Sequence, residues 1–272
     1  MKLAGFCPIV KKERISESVY KFIFHSPEIA LSANPGQFVQ LRTSDHYFPL
    51  WPRPFSIYDV DGDKGDFAVI FKKFGCGTSQ LTEFEEGESI HVLGPLGNGF
   101  DPLEKGRQVA MAGGGIGMPP LYFLAAQSIR DGFPAQNITF ISGARSKKDH
   151  FDDGGLAELG VNLIICTDDG SYGVKGTVVD ILEKDMEKKR IVYACGPGGM
   201  LERIDAILTK NKIPGLLSLE ALMPCGYGIC SGCAVKTIPS ANRGPTDDNC
   251  DFHLKRVCVD GPVFGAGEVI WG

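Results

Sequence analysis

Gln108-Val-Ala-Met-Ala112 runs directly into Gly113-Gly-Gly-Ile-Gly117, and Leu121 to Ile129 follows with helical spacing. A short apolar strand entering a glycine-rich turn and then a helix is the context in which backbone amides and a helix N-terminus receive phosphate. Pro119 and Pro120 fall near the first turn of that helix, where a missing N–H costs nothing. Gly113, Gly114, Gly115 and Gly117 are the candidate phosphate-facing positions. The run is not the G-x-G-x-x-G dinucleotide fingerprint, because residue 118 is Met118.

Downstream the pattern repeats. Asn137-Ile-Thr-Phe-Ile141, Val161-Asn-Leu-Ile-Ile165 and Arg190-Ile-Val-Tyr-Ala194 read as strands, alternating with helical segments at about 176–187 and 199–211. Such alternation predicts a parallel sheet covered on both faces, from 103 to 212. Two loops just past strands are further candidates: Thr167-Asp168-Asp169-Gly170-Ser171, and Cys195-Gly196-Pro197-Gly198-Gly199. Asp168 near a ribose disfavours a 2'-phosphate and tilts the choice towards NAD(H), whereas Arg145 argues the other way.

Upstream, residues 1–102 read as strands separated by Gly and Pro turns. Val19-Tyr-Lys-Phe-Ile-Phe24, Gln37-Phe-Val-Gln-Leu41 and Asp66-Phe-Ala-Val-Ile-Phe71 carry the strand pattern, and an antiparallel β-barrel is expected. Arg53-Pro54-Phe55-Ser56 offers a guanidinium and a hydroxyl to a cofactor. Gly75-Cys76-Gly77-Thr78-Ser79 is expected to be a short loop whose amides and hydroxyls face phosphate.

The last segment, 213–272, is rich in glycine and cysteine. Cys225-Gly-Tyr-Gly-Ile-Cys230-Ser-Gly-Cys233 has the Cys-x4-Cys-x2-Cys spacing of a plant-type two-iron, two-sulfur (2Fe–2S) cluster. A fourth thiolate must come from Cys250 or Cys258. The apolar, turn-rich surroundings of Lys255-Arg-Val-Cys258-Val-Asp-Gly-Pro-Val-Phe264 favour Cys258, whereas Cys250 lies in a polar stretch. A zinc tetrathiolate is the competing reading, but zinc sites more often use two Cys-x2-Cys pairs. Only one such pair occurs here. Metal ligation also suits a piece this small, which buries too little apolar surface to fold unaided.

Composition narrows the class further. The 272 residues are 43% hydrophobic and 22% charged, with a formal net charge of -5. That balance, with no basic block, points away from nucleic acid and from anionic membranes. No segment offers a long apolar, charge-free run, so a membrane span is not expected. Nine cysteines, five of them from Cys225 onward, fit a reducing compartment with metal-bound thiolates, hence a cytoplasmic location.

The first two regions resemble the flavin and pyridine-nucleotide domains of the ferredoxin-reductase superfamily. That resemblance implies that Arg53 meets an FAD diphosphate together with Gly75, Gly77 and Thr78, that Ser56 and Phe55 lie by the isoalloxazine, and that Cys195 with Gly196 and Pro197 positions a nicotinamide. All three regions in order resemble the electron-transfer subunits of NAD-dependent, two-subunit (class 1B) dihydroorotate dehydrogenases. The cysteine loop and the Val257-Cys-Val-Asp-Gly-Pro-Val-Phe264 tail carry the resemblance most specifically, while the stretch between Cys233 and Cys258 is longer than is usual.

The resemblance implies an architecture of an FAD barrel (1–102), an NAD-binding α/β domain (103–212) and a cluster domain (213–272). It implies electron flow, within pyrimidine biosynthesis, from the FMN of a separate catalytic subunit through the cluster and FAD to NAD+. A heterotetramer of two of each subunit is expected, inactive on dihydroorotate without its partner. Two alternatives remain. One is the flavin subunit of an NADH-dependent ferredoxin:NADP oxidoreductase or sulfide dehydrogenase, whose members typically carry aspartate where this chain has Cys225. The other is a non-catalytic iron–sulfur scaffold.

Overall fold

The computed structural model describes residues 3–44, 48–151, 154–185, 190–239 and 251–272. Six strands, β1 (Leu3–Arg14), β2 (Val19–His25), β3 (Phe38–Leu41), β4 (Arg53–Asp61), β5 (Asp66–Lys72) and β6 (Ser89–Leu96), close a barrel in the order β1-β2-β5-β4-β3-β6. All its pairings are antiparallel, and two short helices, α1 (Pro27–Ser32) and α2 (Cys76–Leu81), accompany it. Alternate side chains fill the interior: Phe22, Phe24, Phe67 and Phe71 are fully buried there.

Strand β5 is buried on both faces, which explains its unbroken apolar run. Phe67, Val69 and Phe71 enter the barrel core, while Ala68 and Ile70 face outward into a second core shared with the next domain. The seam is aromatic. Tyr58 of β4 stacks on Tyr122 with centroids 4.1 Å apart, and Phe123 is buried in the barrel's own cluster.

Tyr122 and Phe123 belong to α3 (Met118–Arg130), which begins one turn earlier than the sequence spacing indicates. It follows β7 (Gln108–Gly114) through a single 3-10 turn at Gly115–Gly117. The sheet continues with β8 (Ile138–Ala144), β9 (Asn162–Thr167), β10 (Val174–Lys175), β11 (Arg190–Cys195) and β12 (Gly215–Ser218). Their order is β10-β9-β8-β7-β11-β12, all parallel. Helices α3 and α4 (Gly155–Glu158) pack on one face; α5 (Val178–Lys184) and α6 (Gly198–Asn211) pack on the other. A parallel sheet needs such double cover because its strands are apolar on both sides.

The expected boundary at 212 falls inside this sheet. Strand β12 is its sixth member, and β15 (Val263–Gly265), from the far end of the cysteine-rich segment, adds antiparallel to β12 as the seventh. Between them lie the cysteine loop and a two-stranded ribbon, β13 (Ala234–Thr237) with β14 (His253–Arg256). The C-terminal segment is pinned to α6. The buried Asp205 carboxylate accepts hydrogen bonds from Gly267 N at 2.6 Å and from the Trp271 indole at 2.7 Å. Trp271 is thereby anchored to the second domain.

Candidate functional site

Two cavities meet at the carboxyl ends of the parallel strands, where open α/β sheets bind ligands. The first, about 490 Å³, lies between barrel and sheet and is lined by Arg53, Pro54, Phe55, Ser56, Thr78 and Cys195. Residues 218–223 close its remaining side. The second, about 520 Å³, is lined by Gly114, Gly115, Arg145, Asp168, Pro197 and Arg203. Lys72, Phe74 and Ile116 stand in the walls of both.

The expected site residues therefore divide by position. In the first cavity, β4 presents Arg53 to Ser56 because it is paired to β3, with Leu41 opposite Arg53 and Phe38 opposite Ser56. The stretch 75–79 is not a loop. It is the start of α2, with Gly75 as N-cap and the Thr78 hydroxyl accepting from Phe74 N at 2.8 Å and Gly75 N at 3.1 Å. Six residues carry too little periodicity to reveal such a helix. Gly77 is buried behind Arg53; a Cβ there would lie 3.2 Å from Arg53 Nε and 3.3 Å from Thr43 Oγ1.

That corner fits an FAD diphosphate. It combines a guanidinium, a helix start and the Thr43 hydroxyl, which is buried with no hydrogen-bond partner among the described residues. Sequence reading missed Thr43, as it missed Lys72 and Glu220. Lys72 announces itself only by ending the apolar run of β5. Glu220 stands in the cavity wall beside Cys195; it is open to solvent on one side, and partial desolvation against the wall raises its carboxyl above the usual range. Cys195 is itself buried; burial, and then the Glu220 charge, push its thiol up to about 12. A thiol so raised is neutral, which argues against a nucleophile at this position.

In the second cavity Gly114, Gly115, Asp168 and Pro197 face the opening. Gly113, Gly117 and Gly196 serve packing instead. A Cβ on Gly117 would lie 2.4 Å from the Cys195 carbonyl oxygen, and one on Gly196 3.1 Å from Gly114 Cα. The two glycine loops thus lock together edge to edge. Asp169 caps its own turn, accepting from Ser171 N at 2.9 Å and Ser171 Oγ at 2.6 Å, while Asp168 lines the cavity together with Arg145 and Arg203.

The cysteine loop is built on left-handed glycines and close contact. Gly226 (φ +77°) and Gly228 (φ +90°) adopt left-handed conformations, and a Cβ on Gly228 would lie 2.5 Å from Val259 Cγ2. Arg256 Nη1 donates to Gly228 O at 2.7 Å and steadies the turn from β14. Amides then point at sulfur: Cys230 N lies 3.5 Å from Cys225 Sγ, Gly232 N 3.4 Å from Cys230 Sγ, and Cys258 N 3.5 Å from Cys233 Sγ. Burial alone would raise the Cys225 thiol, but the amides of Cys230, Tyr227 and Ile229 outweigh it and bring it to about 6. Cys258, more enclosed and beside Cys233, is pushed up to about 12 by burial and by that neighbour.

Among the described residues, no three His, Cys, Asp or Glu side chains close on a single-ion position. The sulfurs fall into two pairs instead, an outer one (half-buried Cys225 with exposed Cys230) and a buried one (Cys233, Cys258). Paired cysteine sulfurs with amides aimed at them fit a dinuclear cluster, in which each iron takes two protein sulfurs. Cys250 lies outside the described residues.

Comparison with known proteins bears directly on this arrangement. Residues 220–270 match the model for the iron–sulfur cluster binding domain of dihydroorotate dehydrogenase B, and residues 6–100 that of an oxidoreductase FAD-binding domain. The dihydroorotate dehydrogenase B (NAD(+)) electron transfer subunit of Desulforamulus reducens is 38% identical over 259 residues, 94% of each chain. That of Geobacillus sp. (strain WCH70) is 37% identical over 264 residues, 96% of each chain.

The chain belongs to the family of dihydroorotate dehydrogenase B electron transfer subunits.

As a member, it is an electron-transfer subunit of an oxidoreductase, with an FAD-binding domain, an iron–sulfur cluster binding domain and a parallel-sheet α/β domain between them. A solved chain of an NADH-dependent reduced ferredoxin–NADP oxidoreductase, studied for electron bifurcation, superposes with a TM-score of 0.81 at 32% identity, over 97% of this chain and 90% of that one. The cytochrome b5 reductase domain of Ulva prolifera nitrate reductase shares the fold, with a TM-score of 0.63 at 19% identity over 77% of this chain and 93% of that one. Among the described residues no helix is long and apolar enough to cross a membrane.

Proposed function

We propose that this chain carries electrons from the FMN of a dihydroorotate-oxidising subunit through its 2Fe–2S cluster and FAD to NAD+. Bound FAD supplies the needed conversion, exchanging a hydride with nicotinamide and single electrons with the cluster. The observation that carries the reading is one continuous segment. Residues 218–223 line the FAD cavity, and two residues after Met223 the chain delivers Cys225. The cluster-holding loop is an extension of the cavity wall.

The protein's residues hold and orient. Arg53, Thr43 and the start of α2 neutralise the diphosphate, Phe55 and Ser56 meet the ring, and Cys225, Cys230, Cys233 and Cys258 ligate the irons. Gly114, Gly115 and Pro197 receive the nucleotide, and Asp168 selects against a 2'-phosphate, so NAD(H) is the substrate. The neutral Cys195 thiol fills the space where nicotinamide and flavin meet. Leu222, Tyr227 and Ile229 are exposed around the cluster loop, the face offered to the catalytic subunit. A cytoplasmic heterotetramer of two of each subunit completes the reading.

The test is Cys230→Ser in the reconstituted complex. Dihydroorotate-dependent NAD+ reduction is lost, while NADH-dependent reduction of an artificial acceptor by the FAD-loaded subunit persists. Equal loss of both, with FAD retained, contradicts the separation of sites. The likeness to the ferredoxin–NADP oxidoreductase chain supports a second reading, a flavin subunit serving ferredoxin. Cysteine rather than aspartate at 225 favours the first, and activity with a dihydroorotate-oxidising partner decides between them.

A further inference from the structure

Gln40 sits in the middle of β3, yet it is only 1% exposed. Its neighbours Val39 and Leu41 enter the barrel core, so Gln40 points out of the barrel. What covers it is the segment leading into the cysteine loop. Gln40 Nε2 donates to the Met223 carbonyl at 2.6 Å, and a Cβ on Gly226 would lie 2.6 Å from both Gln40 Cγ and Nε2. One side chain therefore touches the chain two residues before Cys225 and one residue after it. On its own strand pair, Gln40 stands opposite Pro54 of the Arg53–Ser56 stretch.

The amide has one workable orientation. Turning it over would set Oε1 against the Met223 carbonyl, acceptor to acceptor. As placed, Oε1 is buried with no hydrogen-bond partner among the described residues. A methionine would fill the same volume without leaving a polar atom unpaired. Packing alone therefore gives no reason for an amide here; the bond to Met223 does.

We propose that Gln40 is a positioning residue: bonded to Met223 and packed on Gly226, it fixes the Cys225 end of the cluster loop against the flavin barrel and sets the spacing between the two redox groups. This rests on the relay reading above. Electron transfer depends steeply on geometry, so loosening this one tether acts on the FAD-to-cluster step while leaving the nicotinamide side of the flavin alone.

The experiment uses the isolated holo subunit, with FAD and cluster, mixed rapidly with NADH. NADH delivers two electrons and a proton to the flavin as a hydride. One electron then reduces one ferric iron of the cluster to ferrous, and the flavin keeps the other. In Gln40→Met, flavin bleaching and the contents of FAD, iron and labile sulfide are unchanged, while cluster reduction slows at least about tenfold. The EPR g-values of the reduced cluster shift as the loop relaxes. Gln40→Asn, which keeps an amide but falls short of Met223, slows the same step. Loss of the cluster with FAD retained also supports the assignment, because it is the loop that has been released.

Unchanged cluster reduction and unchanged g-values at full cofactor content overturn it. So does parallel loss of FAD and cluster with a lowered melting temperature, which marks a general packing residue. If NADH fails to reduce the cluster even in the wild type, the relay reading itself fails and the role of Gln40 falls with it.

Discussion

The Lys72 ammonium lies 3.1 Å from the Asp149 carboxylate, joining the last residue of barrel strand β5 to the loop that follows β8. The contact crosses the line where the two cavities meet, and Lys72 is in the wall of both. Lys72, followed by a serine hydroxyl, holds the Asp149 carboxyl below the usual range.

Both partners are 40% exposed, so the pair adds little to stability, about 0–1 kcal/mol. Its charge matters more to anionic ligands. Lys72→Met is expected to leave the melting temperature almost unchanged while raising the KM for NADH about fivefold, equivalent to about 1 kcal/mol. Steady-state reduction of a dye by the FAD-loaded subunit measures this; an unchanged KM removes Lys72 from nucleotide binding.

Arg53→Ala removes a charge-assisted contact to the diphosphate, worth about 1.5–3 kcal/mol. FAD affinity, read from flavin fluorescence on titration of the deflavinated protein, is expected to fall about 10- to 100-fold. Iron and labile sulfide are expected to stay at wild-type levels, because the hydrogen bonds of Arg53 among the described residues go to the Trp51 and Pro52 carbonyls and not to the cysteine loop. Full FAD affinity in the variant excludes the role.

With its thiol pushed up to about 12, Cys195 remains protonated across the working range. Iodoacetamide is expected to leave it unmodified in the folded protein between about pH 6 and 10, and to label it once the chain unfolds. Peptide mass mapping distinguishes the two. Cys195→Ser is expected to slow hydride exchange with NADH without changing FAD content. Rapid labelling of folded protein near neutral pH means a thiolate and reassigns the residue.

Cys258 and Cys250 separate cleanly by analysis. Cys258→Ala is expected to lose iron and acid-labile sulfide, because it removes the partner of the buried Cys233. Cys250→Ala retains both. The reverse pattern moves the fourth ligand to Cys250.

Much of this architecture is legible in the chain. The Cys-x4-Cys-x2-Cys spacing names the cluster loop, and the strand–glycine–helix run at 108–129 names the parallel sheet. What stays hidden is contact at long range. Gln40 reads as the polar member of an alternating strand, facing water; it is buried because a segment 183 residues later lies over it. Thr43 and Glu220 are silent for the same reason, acquiring meaning only when barrel and sheet meet. The glycines at 113–117 were legible as a group but not individually: Gly114 and Gly115 face the cleft, whereas Gly117 makes room for a carbonyl. Strand β12 was hidden too, since its four residues precede a cysteine-rich stretch and join a sheet whose other parallel strands come earlier.

The relay is tested most directly by anaerobic titration of the holo subunit with NADH, followed together by visible absorption and EPR, with iron, labile sulfide and flavin quantified beforehand. The flavin bleaches and a reduced-cluster signal grows with it, in a chain holding FAD, two irons and two sulfides. Zinc without labile sulfide, or a flavin that bleaches while the cluster stays oxidised and EPR-silent, contradicts the account.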